Sequence, residues 1–351
     1  MTQDILRIGL IGAGGNVRSR HIPGFRKQSG VEIVCVANRT RASGQAIADE
    51  FGIERVYGDW RQVLADPEVD AVCIGTWPYM HRTLTVAALE AGKHVMCEAR
   101  MAMNLEDARA MLAASQARPT QVAQIVPAPH TLAFDPTIRE MVGGGHVGDV
   151  IAVDARIAAA RAFPDASQPV HWRHDRDLSG NNVMNMGIWY EAMMRWVGQM
   201  KTVMAVGQSV VKHRLDADGN RVAMRIPDHV DVIGELEQGG QMRFNVSSVA
   251  GHMPSLADVH IFGSEGTIRL HQPVGGEMAL FAGRKGEADL SPVAIDQAKK
   301  GGWRVEEEFI NAIRGVEPIT HTDFTTGCKY MEWTDAVTLS LRRRQAVVLP
   351  L

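Results

Sequence analysis

Apolar residues in the first 125 positions come in short runs, separated by stretches in which they recur every three or four residues. Arg7 to Ile11 (RIGLI), Val31 to Ala37 (VEIVCVA), Val56-Tyr57, Val69 to Thr76 (VDAVCIGT) and Lys93 to Cys97 (KHVMC) read as strands. Arg41 to Phe51, Asp59 to Leu64 and Arg82 to Ala91 read as helices, the first closed by Gly52 and the last by Gly92. Strand and helix alternating at this spacing predict a parallel, doubly wound sheet that takes its ligand at the carboxyl ends of the strands. The pattern then changes. Val150 to Ile157, Thr202 to Val210, His229 to Glu237, Gln241 to Val249 and Asp258 to Phe262 are strand-like, with Gly, Pro, Asn and Asp between them. Hairpin-length connections make this second sheet mostly antiparallel. Arg304 to Ile313 and Thr326 to Arg342 read as helices, and Val347-Val348 as a last strand. The expected fold is therefore α/β: a doubly wound N-terminal domain over residues 1–123, then an α+β domain over 124–351 with a large open sheet. At 351 residues two domains are the default, and Pro119 and Thr120 interrupt the chain near the break.

The first strand runs straight into Gly12-Ala13-Gly14-Gly15-Asn16-Val17. Glycines here permit a tight turn and close backbone approach, so a dinucleotide pyrophosphate is expected on the free N–H groups of the helix that follows. The match to G-x-G-x-x-G is partial, because the third glycine falls on Val17. At the end of the second strand an acidic residue usually binds the adenosine ribose. This chain has Asn38, Arg39 and Thr40 there, with Arg41 beyond. Asn38 suits a ribose hydroxyl, and the cationic and hydroxyl donors suit a 2′-phosphate, so NADP(H) is preferred to NAD(H). The other informative positions follow the fourth and fifth strands: Thr76-Trp77-Pro78-Tyr79-Met80-His81 and Glu98-Ala99-Arg100.

Composition narrows the partners. Hydrophobic residues at 45% and charged residues at 22% are ordinary globular values that exclude disorder and repeats. A formal charge of -3 gives no electrostatic case for nucleic acid or a membrane surface. The start MTQDILRIGL has no basic region ahead of an apolar core, so no signal peptide is expected, and no apolar run reaches membrane-helix length. Cys35, Cys73, Cys97 and Cys328 have no metal-ligand spacing and read as reduced side chains of a cytoplasmic protein. No metal site is expected. The methionines at 101, 103, 184, 186, 193 and 194 read as packing.

The run VDAVCIGTWPYMHRTLTVAALEAGKHVMCE resembles the glucose-fructose oxidoreductase, inositol dehydrogenase and rhizopine-catabolism family (Gfo/Idh/MocA). Trp172-Arg173, Gly187, Arg195-Trp196-Val197-Gly198, Gly263-Ser264-Glu265-Gly266-Thr267 and the closing segment Thr326 to Pro350 agree with it, so the resemblance covers nearly the whole chain. It implies a Rossmann domain followed by a domain whose open sheet packs against another subunit. The exposed sheet face must be covered, so a homodimer or homotetramer is expected. The resemblance further implies NAD(P)-dependent oxidoreduction of a sugar, sugar acid or cyclitol, with Glu98 contacting the nicotinamide ribose and His81 orienting the turn after the fourth strand.

Family members use the Lys of Glu-Lys-Pro and an Asp-x-x-x-His pair to move the hydroxyl proton. Here those positions hold Ala99, Asn185 and Trp189, and arginine stands at the proline position as Arg100. None of Ala99, Asn185 and Trp189 titrates usefully, so the usual acid/base groups are absent. Tyr190 and His174 are the leading candidates for a relocated proton carrier, with Glu191, Tyr79 and His130 behind them. A core tyrosine and a solvated charge cluster are the competing readings of Tyr190 and His174. Asn182, Asn185 and Trp189 are spaced to share one helical face and line a sugar site. Arg100 offers a fork for an anionic substrate, unless it pairs with Glu98 or Asp107. Two alternatives stand beside the oxidoreductase: a lyase, epimerase or glycoside-cleaving enzyme with tightly held NAD(P), and a catalytically decayed binding protein.

Overall fold

The computed structural model describes residues 5–351. They form two compact units, one running to Pro127 and regaining Arg304–Cys328, the other comprising Ala128–Trp303 and Lys329–Leu351. The expected division into 1–123 and 124–351 is a single cut, whereas the chain returns to its first unit. The return is fixed by pairing: Ile125 and Thr322 exchange both backbone hydrogen bonds, and the Gln124 amide donates to Glu308 at 2.8 Å.

In the first unit six strands stand in the order β3-β2-β1-β4-β5-β6. They are β1 (Leu6–Ile11), β2 (Val31–Ala37), β3 (Arg55–Tyr57), β4 (Ala71–Ile74), β5 (His94–Cys97) and β6 (Ala123–Ile125), and every pair is parallel. Five helices connect them: α1 (Ile22–Arg26), α2 (Arg41–Phe51), α3 (Trp60–Ala65), α4 (Pro78–Glu90) and α5 (Leu105–Gln116). Local chemistry sets their starts. Thr40 caps α2 by accepting the Ser43 N–H, and Asp59 with Gln62 makes a reciprocal capping box on α3. The helix expected from Arg82 begins four residues earlier, because Pro78 sits at its first position and supplies a ready-made helical φ. The doubly wound parallel sheet expected from the sequence is the one observed.

The second unit opens with α6 (Asp135–Gly143) and β7 (Val150–Ala158), followed by α7 (Arg176–Ser179) and α8 (Met186–Val197). Then come β8 (Thr202–Gln208), β9 (His213–Leu215), β10 (Arg221–Ala223), β11 (His229–Glu235), β12 (Gln241–Ser247), β13 (Ser255–Gly263), β14 (Gly266–Pro273), β15 (Ala279–Arg284) and β16 (Ser291–Pro292). The chain ends with α9 (Val305–Ile313), α10 (Phe324–Arg343) and β17 (Val347–Val348). Nine strands form one sheet, ordered β16-β15-β14-β13-β7-β12-β11-β8-β17, while β9 and β10 make a separate hairpin. The large sheet is antiparallel except where β7 and β12 run parallel. Strands β6, β9, β10 and β14 to β16, and helices α5 and α6, were not read from the sequence; most of these strands are only two or three residues long, and the longer β14 and β15 contain glycine and charge.

Alternate residues of the sheet, Val153, Ala155 and Ile157 on β7 and Met242, Phe244 and Val246 on β12 among them, are buried. Trp333 of α10 lies at the centre. Its ring is stacked on Tyr190 of α8 with centroids 3.9 Å apart, Phe244 lies 5.9 Å away, and its indole N–H points to the Met200 sulfur at 3.1 Å. Truncating this side chain leaves a cavity between helices and sheet. Trp333→Ala is expected to lose about 3–5 kcal/mol of stability, read as a lower midpoint in chemical denaturation.

Candidate functional site

The carboxyl edge of the parallel sheet gathers three turns. After β1, Gly12 adopts φ +84, and a Cβ there would lie 2.6 Å from Thr76 Cγ2 and 2.8 Å from the Thr76 backbone nitrogen. Glycine is required on both counts. Val17, at the position of the third glycine, is 1% exposed and lies against Gly75, where a Cβ would collide with its Cγ2. The missing glycine has thus moved across the contact: room that a helix glycine usually provides comes from the end of β4. No protein atom lies within 4 Å of a Cβ built at Gly15, and at Gly14 only the Gly75 carbonyl oxygen does, at 3.9 Å.

These turns border an open groove of about 330 Å³ lined by Gly12, Asn38, Arg39, Thr76, Trp77 and Tyr79, among others. Asn38 Oδ1 accepts the Ala13 N–H at 2.7 Å, so it braces the glycine turn while its amide N–H groups can meet a ribose. Thr40 is engaged as the α2 cap, its hydroxyl donating to Ser43 Oγ at 2.9 Å, and Ser43 takes its place in the groove wall. Arg39 is exposed, with its guanidinium 5.8 Å from the Trp77 ring centre. The Thr76 hydroxyl is buried and has no hydrogen-bond partner among the described residues. An open glycine turn, an orphaned hydroxyl and a basic, aromatic rim fit a dinucleotide.

After β5, the Glu98 carboxylate accepts the Ala99 N–H at 3.1 Å and a hydrogen bond from the Asn16 amide of the glycine loop. It also meets His21 Nε2 at 2.9 Å. Burial alone would raise the Glu98 pKa; His21 and then Asn16 and Ala99 outweigh it and hold the group below the usual carboxylate range. His81 is fully buried and joins two turns, with Nε2 2.9 Å from the Thr76 carbonyl and Nδ1 2.9 Å from the Arg100 carbonyl. Burial lowers its pKa against the pull of those carbonyls. Arg100 is only 2% exposed, so it is not a surface fork, and Asp107 is taken by Arg82 at 2.9 Å.

In the second unit the expected proton carriers prove to be otherwise occupied. Tyr190 is 1% exposed, and its oxygen accepts the Met200 N–H at 2.9 Å. Burial pushes its pKa up, so Tyr190 is a core residue. His174 accepts the His171 N–H at 3.2 Å, and its pKa falls to about 4 through burial and then the nearby Arg214 charge. An imidazole that stays neutral down to this pH is a weak base. Glu191 accepts the Ala128 N–H at 2.8 Å and pairs with Arg195 at 2.6 Å, which makes it a packing anion. Asn182 lies ahead of α8 rather than on it, and its amide donates to the Ser179 carbonyl at 2.7 Å. The shared face is therefore Asn185, the residue before α8, and Trp189 one turn on. Asn185 Oδ1 is buried with no partner among the described residues. Trp189 is 3% exposed and carries the exposed His130 stacked on it, 5.0 Å between centroids and 6° between planes. Among the described residues no group of three or more His, Cys, Asp or Glu is placed to hold a metal, and no helix is long and apolar enough to cross a membrane.

Two family profiles match the chain. Residues 6–124 fit the oxidoreductase family with an NAD-binding Rossmann fold, GFO/IDH/MocA, and residues 136–269 fit the GFO/IDH/MocA C-terminal domain. The chain belongs to the Gfo/Idh/MocA oxidoreductase family. It is similar to 1,5-anhydro-D-fructose reductase of Ensifer adhaerens, 35% identical over 184 residues that make up 51% of this chain and 52% of that protein. It is also 28% identical to an uncharacterised oxidoreductase of Rhizobium meliloti over 55% of this chain and 56% of the relative. The chain thus spans about half the length of these curated relatives. Levoglucosan dehydrogenase, solved with NADH and L-sorbose, shares the fold at TM-score 0.86 and 20% identity, covering 98% of this chain and 99% of that one.

Within the Gfo/Idh/MocA frame, sequence reasoning missed His21 and Glu306. His21 is fully buried between Glu98 and Glu306, at 2.9 and 2.5 Å. The available signal was a histidine in the first turns after the glycine loop, immediately ahead of Ile22-Pro23. The Val17 and Gly75 contact gives a direct test of the cradle. Gly75→Ala is expected to lower the melting temperature and weaken nucleotide binding at least about tenfold, an overpacking cost of about 1–3 kcal/mol. Adding Val17→Gly should recover only part of the loss, because the same Cβ also lies 2.5 Å from the Gly12 carbonyl oxygen, and unchanged nucleotide affinity in Gly75→Ala would refute the close contact.

Proposed function

We propose that this protein is an NADP(H)-preferring oxidoreductase that interconverts a carbinol and a carbonyl on a sugar or closely related polyol. The observation that carries the reading is the groove at Gly12. It combines a close-approach turn, the orphaned Thr76 hydroxyl and a β2 end with no carboxylate. Relatives named 1,5-anhydro-D-fructose reductase, D-glucoside 3-dehydrogenase and levoglucosan dehydrogenase support the substrate class. A bound nicotinamide would accept hydride from the carbinol carbon or donate it to the carbonyl carbon. The protein's residues bind, orient and manage the proton. Arg39, with Ser43 at the start of α2, offers a planar cation and a hydroxyl to a 2′-phosphate, and Trp77 offers a flat face to an adenine.

The hydroxyl proton needs a group other than residues 99, 185 and 189. His130 is the best placed, because its imidazole lies flat on Trp189, the position where family members carry histidine. Asn185 Oδ1 then offers an acceptor to a substrate hydroxyl. An anionic rather than neutral substrate is a narrower version of this reading. The loss of the three usual acid/base groups also favours a second reading, a tightly held nucleotide used for transient oxidation.

Protein purified without added cofactor, then denatured, separates these readings through the nucleotide it releases. Near-stoichiometric nucleotide favours transient oxidation. Empty protein that binds NADPH reversibly and turns over neutral sugars or sugar acids supports the dehydrogenase, and empty protein that binds neither nucleotide removes both. Arg39→Ala is expected to weaken NADPH at least about tenfold, the loss of one charge-assisted contact, and NADH by less than about threefold. Equal loss for both would show that Arg39 does not read the phosphate. His130→Gln should cut kcat by about 10²–10⁴-fold with little change in nucleotide affinity, whereas His174→Ala should leave kcat near wild type.

A further inference from the structure

The first unit buries an ion cluster at the edge of the nucleotide groove. His21 is fully inaccessible, and both of its ring nitrogens face carboxylates: Nε2 lies 2.9 Å from Glu98 Oε1 and Nδ1 lies 2.5 Å from Glu306 Oε1. A neutral imidazole has one N–H, so only the imidazolium donates to both. Glu306, in the first turn of α9, is 2% exposed. It reaches His21 because position 24 has no side chain; a Cβ on Gly24 would lie 2.5 Å from the Glu306 carboxyl. Glu98 from the end of β5 and Glu306 from α9 both face His21, and the Asn16 amide donates to the shared Glu98 oxygen. The Cys73 and Cys97 thiols also feel the Glu98 charge, and burial, then those charges, holds them protonated.

Glu98 itself is tied to three segments: the glycine loop through Asn16, α1's approach through His21, and its own turn through the Ala99 N–H. It is the carboxylate of this cluster that keeps some exposure, 13% of its side chain. A carboxylate fixed at the carboxyl edge of a parallel sheet, next to a glycine turn, is an acceptor for ribose hydroxyls. We propose that His21 is the positioning residue of the nucleotide site: an imidazolium anchored by Glu306 that holds Glu98 ionised and oriented beside Asn16. The proposal rests on the nucleotide reading given above.

The physical consequence is a clamp with a defined pH range. Burial alone would lower the His21 pKa; Glu306 and Glu98 overcome it and raise the pKa to about 9 from 6.5. A group whose folded pKa is raised gives its stabilisation in full below the unfolded value, and loses it as pH climbs through the folded one. The stability the cluster gives the fold therefore falls progressively above pH 6.5, whereas the ring keeps its proton, and the clamp its hold on Glu98, until the pH nears about 9. Replacing Glu306 by glutamine removes one of the two counter-charges and leaves the burial, so the release moves down towards neutral pH.

The test is the pH dependence of nucleotide affinity, measured by quenching of protein fluorescence with NADPH and NADH on the full chain between pH 6 and 9.5. In wild type, His21 remains mostly protonated to pH 8, and affinity should hold to there and fall above about 9. In Glu306→Gln an additional weakening of about tenfold, one charge-assisted hydrogen bond, should appear between pH 6.5 and 8.5, with affinity at pH 6 within about threefold of wild type. A merely structural His21 would lower the melting temperature of the variant but leave its affinity profile parallel to wild type, and that result would overturn the proposal. Should Glu306→Gln not fold, the ¹⁵N titration of the wild-type imidazoles decides. A His21 ring doubly protonated at pH 8 supports the clamp, and a neutral one at pH 7 overturns it. Wild type that binds neither nucleotide overturns the nucleotide reading and this proposal together, whereas normal binding with parallel profiles overturns this proposal alone.

Discussion

Two backbone segments at the carboxyl edge of the parallel sheet approach so closely that neither admits a side chain. The turn at Gly12 lies against Thr76, and the end of β4 at Gly75 lies against Val17. Interiors are packed to crystal-like density, so a methyl group at either place has nowhere to go. Everything at the groove is referred to this contact. Asn38 braces the turn from β2, Thr76 presents its hydroxyl beside it, and His81 locks the following turn to the one after β5. The glycine pattern is satisfied as a pair of facing positions rather than as a linear motif, which is why an incomplete G-x-G-x-x-G still builds the turn.

The electrostatics of the first unit follow from the same crowding. A carboxylate, an imidazole and a second carboxylate share one buried site, and removing them from water is costly unless each satisfies the next. Glu98, His21 and Glu306 do so by alternating sign. The second unit solves a similar problem with Arg195, which meets both Glu191 and Asp135, while Trp196 donates to Asp135 at 2.8 Å. That network explains why Glu191 and Tyr190 are unsuited to proton transfer: one is neutralised by an arginine, and the other is stacked on Trp333 with its oxygen occupied.

Hydrophobic periodicity and local capping determined much of this protein by themselves. Val31–Ala37 and Arg41–Phe51 stand where the pattern puts them, because alternation, an N-cap threonine and a closing glycine act within a few residues. The α/β class, the alternation of the first five strands with helices, and the groove at Gly12 follow from such short-range signals. The candidate site was legible where it rests on the backbone and opaque where it rests on side chains meeting across the chain. Whether Tyr190 is core, whether His174 is neutral, and whether Arg100 is buried depend on neighbours that the sequence does not order in space. Only the tertiary structure brings His21 to Glu306, 285 residues away, or lays His130 on Trp189. Burial and charge pairing are set by packing at long range, and packing is the one quantity that local sequence patterns do not carry.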